Sequence, residues 1–182
     1  MRKRRCIGRI FGLPQMMESG RFGRARSGLD KYRPAPGIGI TACLAIHLAD
    51  GAYLAIRVHR FGWLKDCGRI LLEAYRDRER VFELFREGDL VQIGQDIEPK
   101  TGEHSLAAPE NGVCVYVHRD CRIMEEKPEA VRFTSLEEMR KTYPAYYCYI
   151  YENGENGGWT LSRHGKTMPL DEAVREEKER MF

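Results

Sequence analysis

The chain has 182 residues, 42% of them apolar and 31% charged, which suits one domain with a single core and a well-solvated surface. Nothing approaches the roughly 18 consecutive apolar residues of a bilayer span, and the early stretch Ile7-Gly8-Arg9-Ile10-Phe11-Gly12-Leu13 is broken by an arginine and two glycines, unlike a secretory signal. The six cysteines, Cys6, Cys43, Cys67, Cys114, Cys121 and Cys148, are scattered along the chain. The expectation is therefore free thiols in a reducing, cytoplasmic compartment, with no membrane partner.

The net charge of +3 hides an asymmetry. Residues 1–33 carry ten Lys and Arg against Glu18 and Asp30, a balance of +8, while the remaining twenty Lys and Arg face twenty-five Asp and Glu, a balance of −5. Residues 1–37 show no helical or strand period and are rich in Gly and Pro. They read as a flexible basic arm outside a domain that spans 38–182.

Within that domain, Ile38, Ile40, Ala42, Leu44, Ile46 and Leu48 recur at strand spacing. Asp50-Gly51 is a hairpin turn signal, and Ala52, Leu54, Ile56 and Val58 repeat the alternation, with Tyr53, Arg57 and His59 on the opposite face. A loop follows, holding Phe61 and Trp63. Asp66 is expected to cap a helix through Ile70 to Tyr75, and Asp77 a second one that stops at Gly88. Leu90, Val91 and Ile93 are expected to tuck against the core, and residues 94–112 to form a long loop. Val113 to His118 reads as a strand. Val131-Arg132-Phe133 reads as extended, and Ser135 with Glu138 as a capping box opening a short helix. Tyr146–Glu152 and Trp159–Arg163 make a second hairpin, and a charged helix from Glu172 to Met181 closes the chain. The fold class expected is α+β: an antiparallel sheet built from hairpins, with two to four short helices packed on it.

No complete catalytic, phosphate-loop or metal motif stands in the sequence, and no cofactor is implied. The arm residues Arg2, Lys3, Arg4, Arg5, Arg21, Arg24 and Arg26 have the charge density to bind phosphates or an acidic partner, or they form a solvated tail. Cys114, His118 and Cys121 share a C-x3-H-x2-C spacing that offers three zinc ligands if a strand puts Cys114 and His118 on one face; the other reading is core thiols beside an edge histidine. Five histidines and six thiols leave a Cys–His nucleophile open, although no local motif surrounds any cysteine. The tyrosine run Tyr143, Tyr146, Tyr147, Tyr149 and Tyr151, of which the last three share a strand face, is either an exposed stacking platform for bases or protein contact patch, or core. Trp63, beside Phe61 and Lys65, divides the same way.

The stretch His59-Arg60-Phe61-Gly62-Trp63-Leu64-Lys65-Asp66-Cys67-Gly68-Arg69-Ile70-Leu71-Leu72-Glu73-Ala74-Tyr75 resembles a family of small proteins from phages, prophages and other bacterial mobile elements. In that family a strand ends in H-W-D-G-Y-P-E-G-V-G-x-x-L-L. Gly88-Asp89-Leu90 to Ile93-Gly94 echoes the family's next segment, so the resemblance spans roughly residues 40–165. Arg60 stands where the family has Trp, Phe61 where it has Asp, and Lys65 where it usually has an acid, so no role that needs that acid carries over. In length, composition and basic arm the chain is also similar to anti-CRISPR inhibitors of the type II RNA-guided nuclease. The resemblance implies an inhibitor that binds a host defence nucleoprotein complex and blocks target-DNA engagement. The expected contacts are the arm arginines together with His59, Arg60, Trp63 and Lys65. A nucleic-acid-binding protein, touching DNA or RNA phosphates through a cationic arm, is the alternative reading. A thiol- or metal-dependent nuclease is a third.

Overall fold

A computed structural model describes residues 40–121, 129–154 and 157–180. The expected arm, with Arg2, Lys3, Arg4, Arg5, Arg21, Arg24 and Arg26, lies outside them. The described residues form an α+β fold around one sheet, whose neighbouring strands run β4-β3-β2-β1-β6-β7-β8.

The first hairpin follows the alternation read from the sequence. β1 (Ala42–His47) pairs antiparallel with β2 (Tyr53–Val58), from Ala42↔Val58 to His47↔Tyr53. Asp50 closes the turn by accepting from the Ala52 N–H at 3.1 Å. A π-helical turn (Leu64–Gly68) then leads into α1 (Arg69–Ala74), and α2 (Arg78–Phe85) follows. Asp77 caps α2, its carboxylate accepting from the N–H groups of Glu79 and Arg80. Asp66, expected as a cap, instead lies inside the π-helical turn, because the chain is already held from Trp63, whose carbonyl accepts from Asp66 and Cys67 N–H.

β3 (Leu90–Gln92) pairs with β4 (Val115–Tyr116), and α3 (Val117–Cys121) follows at once. β5 (Val131–Phe133) pairs with the Tyr53 end of β2, and α4 (Leu136–Thr142) comes next. The Ser135 hydroxyl accepts from Glu138 N–H, while the Glu138 carboxylate reaches back to Thr134 N–H, one residue earlier than in the usual box. β6 (Tyr147–Glu152) and β7 (Gly158–Arg163) form the expected second hairpin. β8 (Lys166–Pro169) extends it and runs into α5 (Leu170–Arg180).

Two expectations are corrected here. The sheet is mixed, not antiparallel throughout: β1 runs parallel to β6 over Ala42↔Tyr147 to His47↔Glu152, and β2 runs parallel to β3. The strand expected over 113–118 ends at Tyr116, because the Asp120 carboxylate takes the Tyr116 N–H at 2.7 Å and the Asp89 carbonyl takes the Val117 N–H at 2.9 Å, turning the chain into α3.

The central strand β1 is buried on both sides from Ala42 to Ile46, as a strand with both faces covered must be. One face carries Leu44, Ile46, Ile56, Tyr149 and Trp159 and packs under α1, α2 and α5, with Leu71, Leu84 and Leu170. The other carries small residues, Cys43, Ala45, Ala55 and Cys148, beneath Phe133 and Met139 of the β5–α4 segment. The long loop over 94–112 is tied down by His104, whose Nδ1 accepts from Glu110 N–H and whose Nε2 donates to the Cys114 carbonyl at 3.1 Å. Among the described residues no helix is long and apolar enough to cross a membrane.

Candidate functional site

The loop after β2 is stitched to its neighbours by backbone hydrogen bonds. His59 N–H donates to Leu90 O and Arg60 N–H to Val91 O. Gly62 N–H donates to Ile40 O, each at 2.8–2.9 Å. The Tyr149 phenol donates to Gly62 O at 3.0 Å from below. Gly62 has no room for a side chain, since a Cβ there would stand 2.7 Å from both Ala42 Cβ and Ile40 O. This stitching forces Phe61 to φ +57°, a left-handed conformation that costs a bulky residue about 1–3 kcal/mol. The result is a rigid backbone that holds two large aromatics out to solvent, Phe61 at 42% and Trp63 at 37% exposure.

Trp63 leans on Tyr147, ring centroids 6.5 Å apart. Tyr147 opens β6, and Tyr146 immediately before it is 40% exposed and sets its ring edge-on to Tyr147 at 4.8 Å. The end of β7 and the turn into β8 bring Arg163 and His164 to the same place. Arg163 lies over Tyr146 at 4.5 Å and over Tyr147 at 5.2 Å, and donates to the Tyr146 hydroxyl. Its Nε is buried and has no hydrogen-bond partner among the described residues. His164, at φ +49° in the turn, meets the Tyr146 ring edge-on at 5.1 Å. Trp63, Tyr146, Arg163 and His164 thus gather around the buried Tyr147 ring as one aromatic surface with an arginine in it. Such a surface can stack a flat ring and pair with a nearby anion.

The sequence-derived candidates distribute unevenly over this site. Trp63 belongs to it. Lys65, exposed on the π-helical turn, borders instead a groove shared with Arg69 of α1 and with Val174, Glu177 and Lys178 of α5. Arg60 is half-buried. His59 turns away, its Nε2 standing 3.6 Å from the buried carboxylate of Asp89. Asp89 accepts from the Arg57 backbone N–H at 2.9 Å and from the Arg57 guanidinium at 2.8 Å. Burial alone would raise the Asp89 carboxyl, but His59 and the Arg57 charge outweigh it and hold it below the usual range. Over this pair lies Tyr143, 5.0 Å from the Arg57 guanidinium, its phenol pushed up to about 12 by burial and by Asp89.

The tyrosine stripe resolves as core. Tyr147, Tyr149 and Tyr151 are each almost wholly buried, and burial raises all three phenols. The exposed ring is Tyr146, outside that alternation. The sequence shows Tyr146 only within the tyrosine run and His164 only as one of five histidines; their association with Arg163 escapes it because the β6–β7 pairing, not the local sequence, brings the three together.

The zinc spacing does not converge. Cys114 is buried with its sulfur 3.3 Å from the Tyr75 hydroxyl and 3.2 Å from the Gly94 nitrogen, while His118 sits on α3 and not on the strand. The Cys121 thiol faces the Tyr116 carbonyl. Among the described residues no group of three or more His, Cys, Asp or Glu side chains is arranged to hold a metal ion. Compared with known protein families, curated proteins and solved structures, the chain matches none.

Proposed function

We propose that this chain is a binding protein that docks on a nucleic-acid-bearing target through its Phe61–Trp63 loop and the adjoining Tyr146–Arg163 surface. The target we favour is the one the family resemblance points to: a host RNA-guided DNA nuclease, whose engagement of target DNA the bound protein blocks. The observation that carries this reading is the pair of exposed aromatics on a backbone already fixed in place, next to an arginine laid over two tyrosine rings. Preorganised aromatic anchors lose little entropy on binding and dominate interface energies. The strongly basic first 33 residues add phosphate contacts in this scheme.

The direct test is cleavage of a DNA target by a purified type II RNA-guided nuclease, with and without the full chain. Inhibition is expected, and Trp63→Ala with Tyr146→Ala should relieve it. Undiminished cleavage at saturating protein would sink the inhibitor reading. A second reading, a protein that binds nucleic acid alone, is favoured by the Arg163–Tyr146 stack, because every base offers a ring face to such a pair. It requires single-stranded DNA or RNA to bind without any nuclease. The log–log salt slope should then be about −3 to −4 if the basic segment neutralises about five phosphates of a single strand.

A further inference from the structure

Cys43 and Cys148 stand directly opposite one another on the parallel neighbours β1 and β6. Both belong to the small cluster on the second face of the sheet, with Ala45, Ile150 and Met139. Neighbouring strands run about 4.8 Å apart, inside the Cα separation of about 4.4–6.8 Å that a disulfide bridges. Every described cysteine is a free thiol; Cys121 is the partly exposed one, whereas Cys148 is buried but, unlike Cys43, borders a cavity. Its side chain lines an open cavity of about 320 Å³. The same cavity is lined by Arg140, Tyr143, Tyr146, Ser162 and His164. Arg140 reaches across to donate to the Ser162 hydroxyl, so its guanidinium is fixed in the cavity wall.

We propose that Cys148 is a peroxide-reactive thiol and Cys43 its resolving partner, the two closing a disulfide between β1 and β6. The co-reactant is a hydroperoxide small enough to enter the cavity. The Cys148 thiolate attacks the terminal oxygen, the O–O bond breaks, and the departing oxygen leaves as an alcohol, or as water from hydrogen peroxide, after taking up a proton. Cys148 is then a sulfenic acid. Cys43 sulfur attacks the Cys148 sulfur, the S–O bond breaks, and hydroxide leaves as water with the Cys43 proton. Two thiols have given up two electrons and two protons, and the peroxide has been reduced. Electrostatics divide the pair in the same sense: the Cys43 thiol beside it and then the Arg140 charge favour the Cys148 thiolate, whereas Cys43 itself is held protonated. Cys67, fully enclosed, is pushed far up by burial, and burial raises Cys114 as well. Thiolate character and access select the site of oxidation.

The experiment treats the full chain with one equivalent of hydrogen peroxide and maps its thiols by non-reducing peptide mass spectrometry. A single Cys43–Cys148 cross-link, reversed by dithiothreitol, is expected. With dimedone present, Cys43→Ser should accumulate the adduct at Cys148. Arg140→Gln should slow that labelling severalfold, because it removes the positive charge that favours the Cys148 thiolate. Cross-linking or labelling spread over Cys67, Cys114 or Cys121, or a Cys148 that stays reduced, would overturn the assignment. The map of the unsubstituted chain decides this even if a variant fails to fold.

Discussion

The two faces of the sheet are built from the same strands and behave differently. The face under α1, α2 and α5 is filled with large side chains whose polar atoms are satisfied: Tyr75 donates to Gly94 O at 2.7 Å, Tyr116 to Leu84 O at 3.0 Å, and Trp159 to the Tyr75 carbonyl. The face under α4 is lined with small residues and thiols. At its margin sit Arg57, Asp89, Tyr143 and Arg140, beside a cavity. The first face holds the large buried side chains and the second the thiols proposed to react, and the aromatic surface of Trp63 and Tyr146 lies where β6 begins.

Successive residues of β1 give the sharpest way to break that contrast. Leu44→Ala on the large face should cost about 4 kcal/mol, since a fully buried leucine leaves a cavity behind. Cys43→Ala, one residue away on the small face, should cost about 1 kcal/mol or less. Denaturant titration of both variants checks this, and equal losses would refute the division. Next in size is Asp89→Ala, expected to cost about 3 kcal/mol because it leaves Arg57 without its buried partner. The same carboxylate makes stability pH-dependent. Its folded value lies below the unfolded one, so its contribution is complete above about pH 4 and is lost as pH falls through the folded value. Acid titration of the Asp89 variant should therefore lack part of the drop shown by the unsubstituted chain.

Tyr149→Phe should cost about 1 kcal/mol by removing the hydrogen bond to Gly62. It should also speed hydrogen exchange at the Gly62 amide more than at the β1 amides. Trp63→Ala should cost about 1 kcal/mol, because the ring is over a third exposed but still leans on Tyr147. That variant should nevertheless weaken binding to single-stranded nucleic acid or to the nuclease about tenfold, within the range of about 1–3 kcal/mol for one stacked base. Trp159 is buried, so intrinsic fluorescence quenching on titration reports largely on Trp63.

Much of the site was illegible for a simple reason. Trp63 was recognised because it stands beside Phe61 in a break between two periodic segments, a local signal. Asp89 follows a helix-stopping glycine, and nothing in its local sequence marks it as buried. Only the return of the chain beside β2 places its carboxylate against Arg57 and His59. Cys43 and Cys148 each read as a small hydrophobe in an apolar run, and nothing in either run announces the other.

The local pattern of residues settles what is local. The period of two in residues 42–58, interrupted by Asp50-Gly51, determines the first hairpin and its register. The caps at Asp77 and Ser135 determine where two helices begin. Tertiary structure alone decided that β1 takes β6 as its parallel neighbour, that the chain turns helical after Tyr116, and that Tyr146, Arg163 and Trp63 share a surface. Periodicity specifies which face of an element is apolar, but a parallel pairing between segments a hundred residues apart depends on which surfaces fit once the chain has collapsed, and no single segment encodes that.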